Sequence, residues 1–185
     1  MLLSDFKSKI QHWNEWAAQD NCKQFDIALF KIWITSETFC SELFTNYCLG
    51  VSSETGYLPH LSIDFHNEEL LNVFMRERGK NYVDYFAKIE LSKYIFVNNP
   101  FDILLVDPKY KNACDQIKSI RNYIAHESNE AKNKYIKMCF CGNPNHFLEP
   151  NDYLVKIESS TKKSYYTYYT QCLSDISWLL VNPPN

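Results

Sequence analysis

The chain has 185 residues, 45% hydrophobic and 16% aromatic, which excludes a disordered polymer and supplies enough apolar surface for one self-standing domain spanning residues 1–185. A net charge of −3, with only Arg76, Arg78 and Arg121 as arginines, excludes coating of nucleic acid by the whole surface, so any such contact must be local. Seven irregularly spaced cysteines (Cys22, Cys40, Cys48, Cys114, Cys139, Cys141 and Cys172) read as reduced thiols, and no apolar run reaches the length of a signal peptide or a bilayer span, so a cytoplasmic protein with no membrane partner is expected.

Phe6, Ile10, Trp13 and Ala17 recur at helical steps behind a Ser/Asp start and predict a helix over residues 4–18. A second, over 24–49, carries Phe25, Ala28, Leu29, Ile32, Phe39, Leu43 and Tyr47 on one stripe, widened by Trp33, Cys40 and Phe44, and stops at Gly50. That width predicts burial on more than one side. Residues 51–67 turn to Ser, Gly, Pro and His and read as a long loop before a short helix over 68–76 that Gly79 ends. Tyr82, Tyr85, Phe86, Ile89 and Phe96 mark a helix over 81–97, closed by Asn98-Asn99-Pro100. Residues 102–106 are too few to assign. Asp107-Pro108 then supplies an N-cap and a proline at the first helical position, opening a helix through residue 126.

The charged segment 129–140 is compatible with further helix, and Cys141-Gly142-Asn143-Pro144-Asn145 is a turn. Partial alternation over 153–157 predicts a short strand, hence a β-hairpin near 136–158. The last helix, over 161–181, has Tyr165, Tyr168, Tyr169, Cys172, Ile176, Leu179 and Leu180 at helical spacing, which favours packing over base stacking for its tyrosines. The sum is an all-α, up-and-down bundle of about five to six helices.

The chemistry concentrates in Arg121-Asn122-Tyr123-Ile124-Ala125-His126, followed by Glu127-Ser128. A permanently charged guanidinium and a proton-transfer imidazole on one segment suit RNA backbone cleavage. With Ile117 at the centre of the apolar stripe, Tyr110, Ala113, Cys114, Ile120, Ile124 and Arg121 fall around it, so the arginine faces the packed side. A charge there has to be paired or to line a wet cleft. His126, five residues on, is turned about 140° away on a straight helix. Convergence on one phosphate requires either a bend or end near Ala125, or a second copy of the chain. The bland alternative is a buried salt bridge from Arg121, for instance to Glu37, with His126 decorating a helix end.

Ile120 to Ser128 resembles the signature of the HEPN superfamily, the helical domains of higher eukaryote and prokaryote nucleotide-binding proteins: Arg, a polar residue directly after it, and His four to six residues later. Arg121, Asn122 and His126 fill those positions. The resemblance implies an all-α bundle that dimerises through its motif helices, and a metal-independent endoribonuclease without cofactors, of the prokaryotic toxin or antiphage-defence type. RNA is then the substrate, and a cognate antitoxin or another defence-system protein a partner. In that scheme Arg121 holds the phosphate, His126 moves protons, Asn122 orients one or the other, and Glu37 is a supporting candidate on the inner flank of its helix. Some such toxins are silenced by nucleotidyl transfer to a tyrosine two residues after the histidine; here Ser128 stands there, which argues against that regulation, although Tyr123 and Tyr135 offer nearby hydroxyls. Other members are non-catalytic interaction or RNA-binding modules, the alternative function. Cys139, Cys141 and His146 offer three soft metal ligands at a spacing tighter than a zinc knuckle, and His60, Asp64 and His66 form a loose polar cluster.

Overall fold

The structure, a computed structural model, describes residues 1–19, 24–77 and 85–184; of Glu77 and residues 85–88 it describes the backbone alone. Cys22, Arg78, Gly79, Tyr82 and the expected helix start at Asn81 lie outside the described residues, as do the side chains of Tyr85 and Phe86. The fold is all-α. Among the described residues the helices are α1 (Leu3–Ala17), α2 (Phe25–Cys48), α3 (Glu68–Glu77), α4 (Tyr85–Ile95), α5 (Asp102–Val106), α6 (Pro108–His126), α7 (Asn129–Cys139), α8 (Pro150–Leu154) and α9 (Tyr165–Val181), with one 3-10 turn at Pro144–His146. None is long and apolar enough to cross a membrane.

Among the described residues nine helices stand where five to six were expected. Two of the additional ones, α5 and α8, have only five residues each, too few for an apolar period to register. The third, α7, is separate rather than a continuation of α6. The β-hairpin expected near 136–158 is absent: the region holds the end of α7, the 3-10 turn and α8. Glu149 is extended (φ −61°, ψ 150°) and Pro150 follows at the first helical position, so the chain turns into a helix where alternation predicted a strand. Its amides bond locally, Tyr153 N to Glu149 O at 3.0 Å and Lys156 N to Tyr153 O at 3.1 Å.

A single antiparallel bridge follows, Ile157 to Ser164, flanked by Glu158 N to Lys163 O at 2.8 Å and Tyr165 N to Lys156 O at 2.9 Å. Inside that turn the Glu158 carboxylate accepts from Ser160 N, Ser160 Oγ and Thr161 N at 3.1, 2.7 and 2.7 Å. These bonds favour the anion and hold the carboxyl down at about 2. The turn occupies residues that were expected to begin the last helix, which therefore starts at Tyr165.

The chain divides into two compact units, each assembled from separated segments. Unit 1 comprises Met1–Phe6, Ser36–Asp107 and Asp175–Asn185. Its core is aromatic: Phe44, Tyr47, Phe96 and Phe101 are buried with ring centroids 5.7 to 6.5 Å apart, and Phe6 stacks on Phe39 at 4.9 Å. The 51–67 loop is fastened to the end of α4 by Ser62 N to Ile95 O at 2.7 Å and Val97 N to His60 O at 2.8 Å. Hydroxyls satisfy the last carbonyls of α9: Tyr47 donates to Leu180 O and Ser53 to Val181 O, each at 2.8 Å. Burial pushes the Tyr47 phenol well above its usual range.

Unit 2 comprises Lys7–Thr35 and Pro108–Ser174. It holds most of α1, the first half of α2, all of α6, α7 and α8, and the start of α9. Phe25 packs edge-on to Tyr166 at 5.0 Å, Tyr166 donates to Asn14 Oδ1 at 2.7 Å, and Asn151 Oδ1 accepts from Phe25 N at 2.9 Å.

Two outcomes are expected. Tyr47→Phe strips a buried carbonyl of its donor and should cost about 1–3 kcal/mol in denaturant unfolding at constant m-value. Glu158 should titrate near 2 in side-chain NMR. Because its folded value lies below the unfolded one, its stabilising contribution is complete above the ordinary carboxylate range and fades as pH falls from there towards 2.

Candidate functional site

The helix α6 starts at Pro108, after an extended Asp107 (φ −71°, ψ 113°), and buries Tyr110, Ala113, Cys114, Ile117, Ser119 and Ile120. Towards its end burial declines: Arg121, Asn122, Tyr123 and Ile124 are half-buried, while Ala125 and His126 are exposed. Glu127 takes a left-handed φ of 45° and ends the helix, its amide still reaching Tyr123 O at 2.9 Å. Ser128 caps α7 at once, its hydroxyl accepting from Ala131 N at 3.2 Å. The two helices thus form a tight antiparallel hairpin with a two-residue connection.

Arg121 lies, as its place in the stripe predicts, partly inside. Its Nη1 donates to Asn122 Oδ1 at 3.0 Å and its Cζ stands 5.8 Å from the centre of the Phe30 ring. Nε is buried and has no hydrogen-bond partner among the described residues. No carboxylate of its own unit pairs with the guanidinium among the described residues. The proposed ion-pair partner Glu37 belongs to the part of α2 that falls in unit 1. A half-buried guanidinium held by one neutral amide and one ring face keeps several donors for another acceptor.

His126 is the last residue of an unbroken α6, so its side chain projects about 140° from Arg121. Arg121 and Asn122 are brought together; within one chain His126 is not aimed with them.

Beside His126 stands a set of residues that the sequence did not single out as a site. Tyr123, one turn before His126 on the same face, stacks on the buried Tyr135 of α7 (5.6 Å, 21° between planes) and meets Phe147 edge-on at 6.0 Å. Its hydroxyl donates to Glu149 Oε2 at 3.4 Å, and burial together with that carboxylate raises its pKa. Lys132 sets its ammonium 4.1 Å from the centre of the Phe147 ring. One sequence signal for this cluster existed: Glu149-Pro150, an N-cap before a proline, which fixes where Glu149 leaves the backbone.

Beneath it runs a directed chain of hydroxyls and amides. Tyr169 donates to Gln116 Oε1 at 3.1 Å and accepts from Tyr153 at 3.0 Å, while Gln116 Nε2 donates to Met138 O at 3.2 Å. Cys139 Sγ lies 3.8 Å from Ser119 Oγ. Burial pushes its thiol up to about 12 against the pull of the hydroxyls of Ser119, Tyr153 and Tyr169, so it is protonated at neutral pH and unsuited to bind metal or attack an electrophile. Cys141 is exposed in a left-handed turn, and no three His, Cys, Asp or Glu side chains among the described residues stand close enough to hold a metal ion. His66 Nδ1 and Asp64 Oδ2, in unit 1, lie 3.8 Å apart on an open surface.

The chain was compared with protein-family models, curated proteins and solved structures, and none matches.

The Tyr135 hydroxyl is buried without a hydrogen-bond partner among the described residues, and its pKa is raised first by burial. Tyr135→Phe removes an unsatisfied polar atom while keeping the ring. It should leave stability unchanged or raise it by about 1–2 kcal/mol, read as the thermal midpoint. A loss of that size would mean that the hydroxyl has a partner.

Proposed function

We propose that this chain is a HEPN-type, metal-independent endoribonuclease that acts as a homodimer, with the ends of two α6 helices forming a composite site. Support comes first from the complete Arg-polar-x3-His pattern on the terminal turns of a single helix. The observation that carries most weight is the state of Arg121: half-buried, oriented by Asn122, and with a buried Nε that has no hydrogen-bond partner among the described residues. Such a group gains most from an incoming phosphate oxygen.

The chemistry follows from the residue types. A neutral imidazole from His126 of one protomer takes the ribose 2′-hydroxyl proton as that oxygen attacks phosphorus. The bond to the 5′-oxygen breaks, and a protonated imidazole from the other protomer delivers a proton to it, leaving a 2′,3′-cyclic phosphate and a 5′-hydroxyl. Arg121 offsets the charge gathering on the phosphoryl oxygens, with Asn122 orienting it. Imidazole as a side-chain type can take up or release a proton near neutrality, so it suits either role. The biological setting proposed is a cytoplasmic toxin or antiphage defence effector, held in check by a cognate antitoxin or another protein of the same system.

One geometric fact favours a rival, a non-catalytic helical interaction or RNA-binding module: the wide angle between Arg121 and His126 within one chain. The two are separated by assaying RNA cleavage in chelator across a range of protein concentrations, for the wild type, Arg121→Ala and His126→Ala. Cleavage is expected from the wild type only, falling more steeply than linearly on dilution below the dimer dissociation constant, with each variant reduced by at least about a hundredfold. Identical behaviour of all three proteins removes the catalytic reading. Thermal midpoints of the variants are expected close to that of the wild type, since within the unit neither residue forms an ion pair among the described residues.

A further inference from the structure

The residues around His126 form an arrangement that the cleavage chemistry leaves unused. Tyr123 and Phe147 make an aromatic edge whose footing is the buried Tyr135, so their positions are fixed by packing rather than by surface chance. Glu149 is exposed, and its hydrogen-bond partner among the described residues is the Tyr123 hydroxyl at a long 3.4 Å. It makes no capping bond to α8. An ionised carboxylate accepts and cannot donate, and it has room for about four hydrogen bonds. Lys132 contributes a cation 4.1 Å from the centre of the Phe147 ring.

An aromatic edge, an acceptor-only anion and a cation together match one kind of ligand. The planar part needs two adjacent N–H donors to use a carboxylate fully, and a phosphate must follow to use the ammonium. Among the four RNA bases, guanine alone presents two adjacent donors, N1–H and the exocyclic amine, on its pairing edge. Bases in single-stranded RNA are read in this way, by stacking on aromatic side chains and by hydrogen bonds to that edge.

We propose that Tyr123, Lys132, Phe147 and Glu149 form a guanine-nucleotide subsite beside His126, with the Glu149 carboxylate accepting from the base and Lys132 facing its phosphate. The subsite rests on the ribonuclease reading for its purpose, that of selecting single-stranded RNA with a guanosine next to the cleaved bond. Because Tyr123 lies one helical turn from His126, a guanine held there sets which phosphate the imidazole reaches. Glu149 is then a specificity-determining residue. It takes no part in proton transfer.

The test titrates the full-length chain calorimetrically with guanosine 3′-monophosphate and with the adenosine, cytidine and uridine 3′-monophosphates, alongside cleavage of RNA oligonucleotides carrying one guanosine each. The wild type is expected to prefer the guanosine nucleotide by about tenfold or more, the scale of one bidentate base contact. Glu149→Gln, at an exposed position, should keep the wild-type melting temperature and lose that preference, while Lys132→Gln should weaken all four nucleotides alike. Absence of nucleotide binding, equal binding of all four, or a preference that survives Glu149→Gln overturns the subsite whether or not RNA is cut. Guanosine preference that depends on Glu149, in a protein that cuts no RNA, leaves the subsite standing and removes the ribonuclease reading.

Discussion

Successive residues of an α-helix are turned about 100° from one another, and in α6 that step separates the two groups an RNA phosphate would need. Arg121 falls on the flank that packs against Phe30, and His126 falls on the face that meets solvent at the helix end. Had α6 broken before Ala125, one chain could have folded its histidine back. It continues to His126 and is stopped only by the left-handed Glu127. A composite site therefore needs a second α6, and the activity proposed for this chain depends on assembly.

Holding a guanidinium half-buried is costly unless its donors find acceptors, and the described residues of unit 2 supply few: one amide oxygen and one ring face. Elsewhere the same unit satisfies its polar groups with care, running a proton-ordered chain from Tyr153 through Tyr169 and Gln116 to the Met138 carbonyl. Arg121 Nε and the Tyr135 hydroxyl are among the buried polar atoms that make no hydrogen bond within the described residues. They differ in kind. The arginine retains donors that a phosphate can use, whereas the tyrosine hydroxyl is buried and its ring stacks on Tyr123.

Much of the helical layout was legible because it is written in local rules. The stripe from Phe25 to Tyr47 and the stop at Gly50 located α2 within a residue at each end, and Asp107-Pro108 fixed the start of α6. Local rules also failed in definable ways. Tyr153 to Ile157 looks like a strand when side chains are counted in alternation, yet Pro150 at the first helical position sets the backbone before that pattern can act. The separate identity of α7 turns on Ser128 acting as a cap, a role that depends on Glu127 accepting a left-handed conformation. Of the site, Arg121, Asn122 and His126 were visible as a motif, while Glu149, Phe147 and Lys132 were not, because nothing near them in sequence marks them as neighbours of α6.

On α9 the sequence missed the buried Tyr166 and Leu173; by itself it determined that the chain is helical, which residues face inward on α2 and α6, and that Arg121 and His126 diverge if α6 runs unbroken. Those are consequences of backbone geometry over spans of three to seven residues, where composition and period act directly. Only the tertiary structure decided that Tyr123 would meet Glu149 across 26 residues and Tyr169 would meet Gln116 across 53, and that Arg121 Nε would be buried without a hydrogen bond among the described residues. Contacts of that reach are selected by how whole helices pack and by which polar groups burial leaves in need of partners. Neither can be read from a window of neighbouring residues.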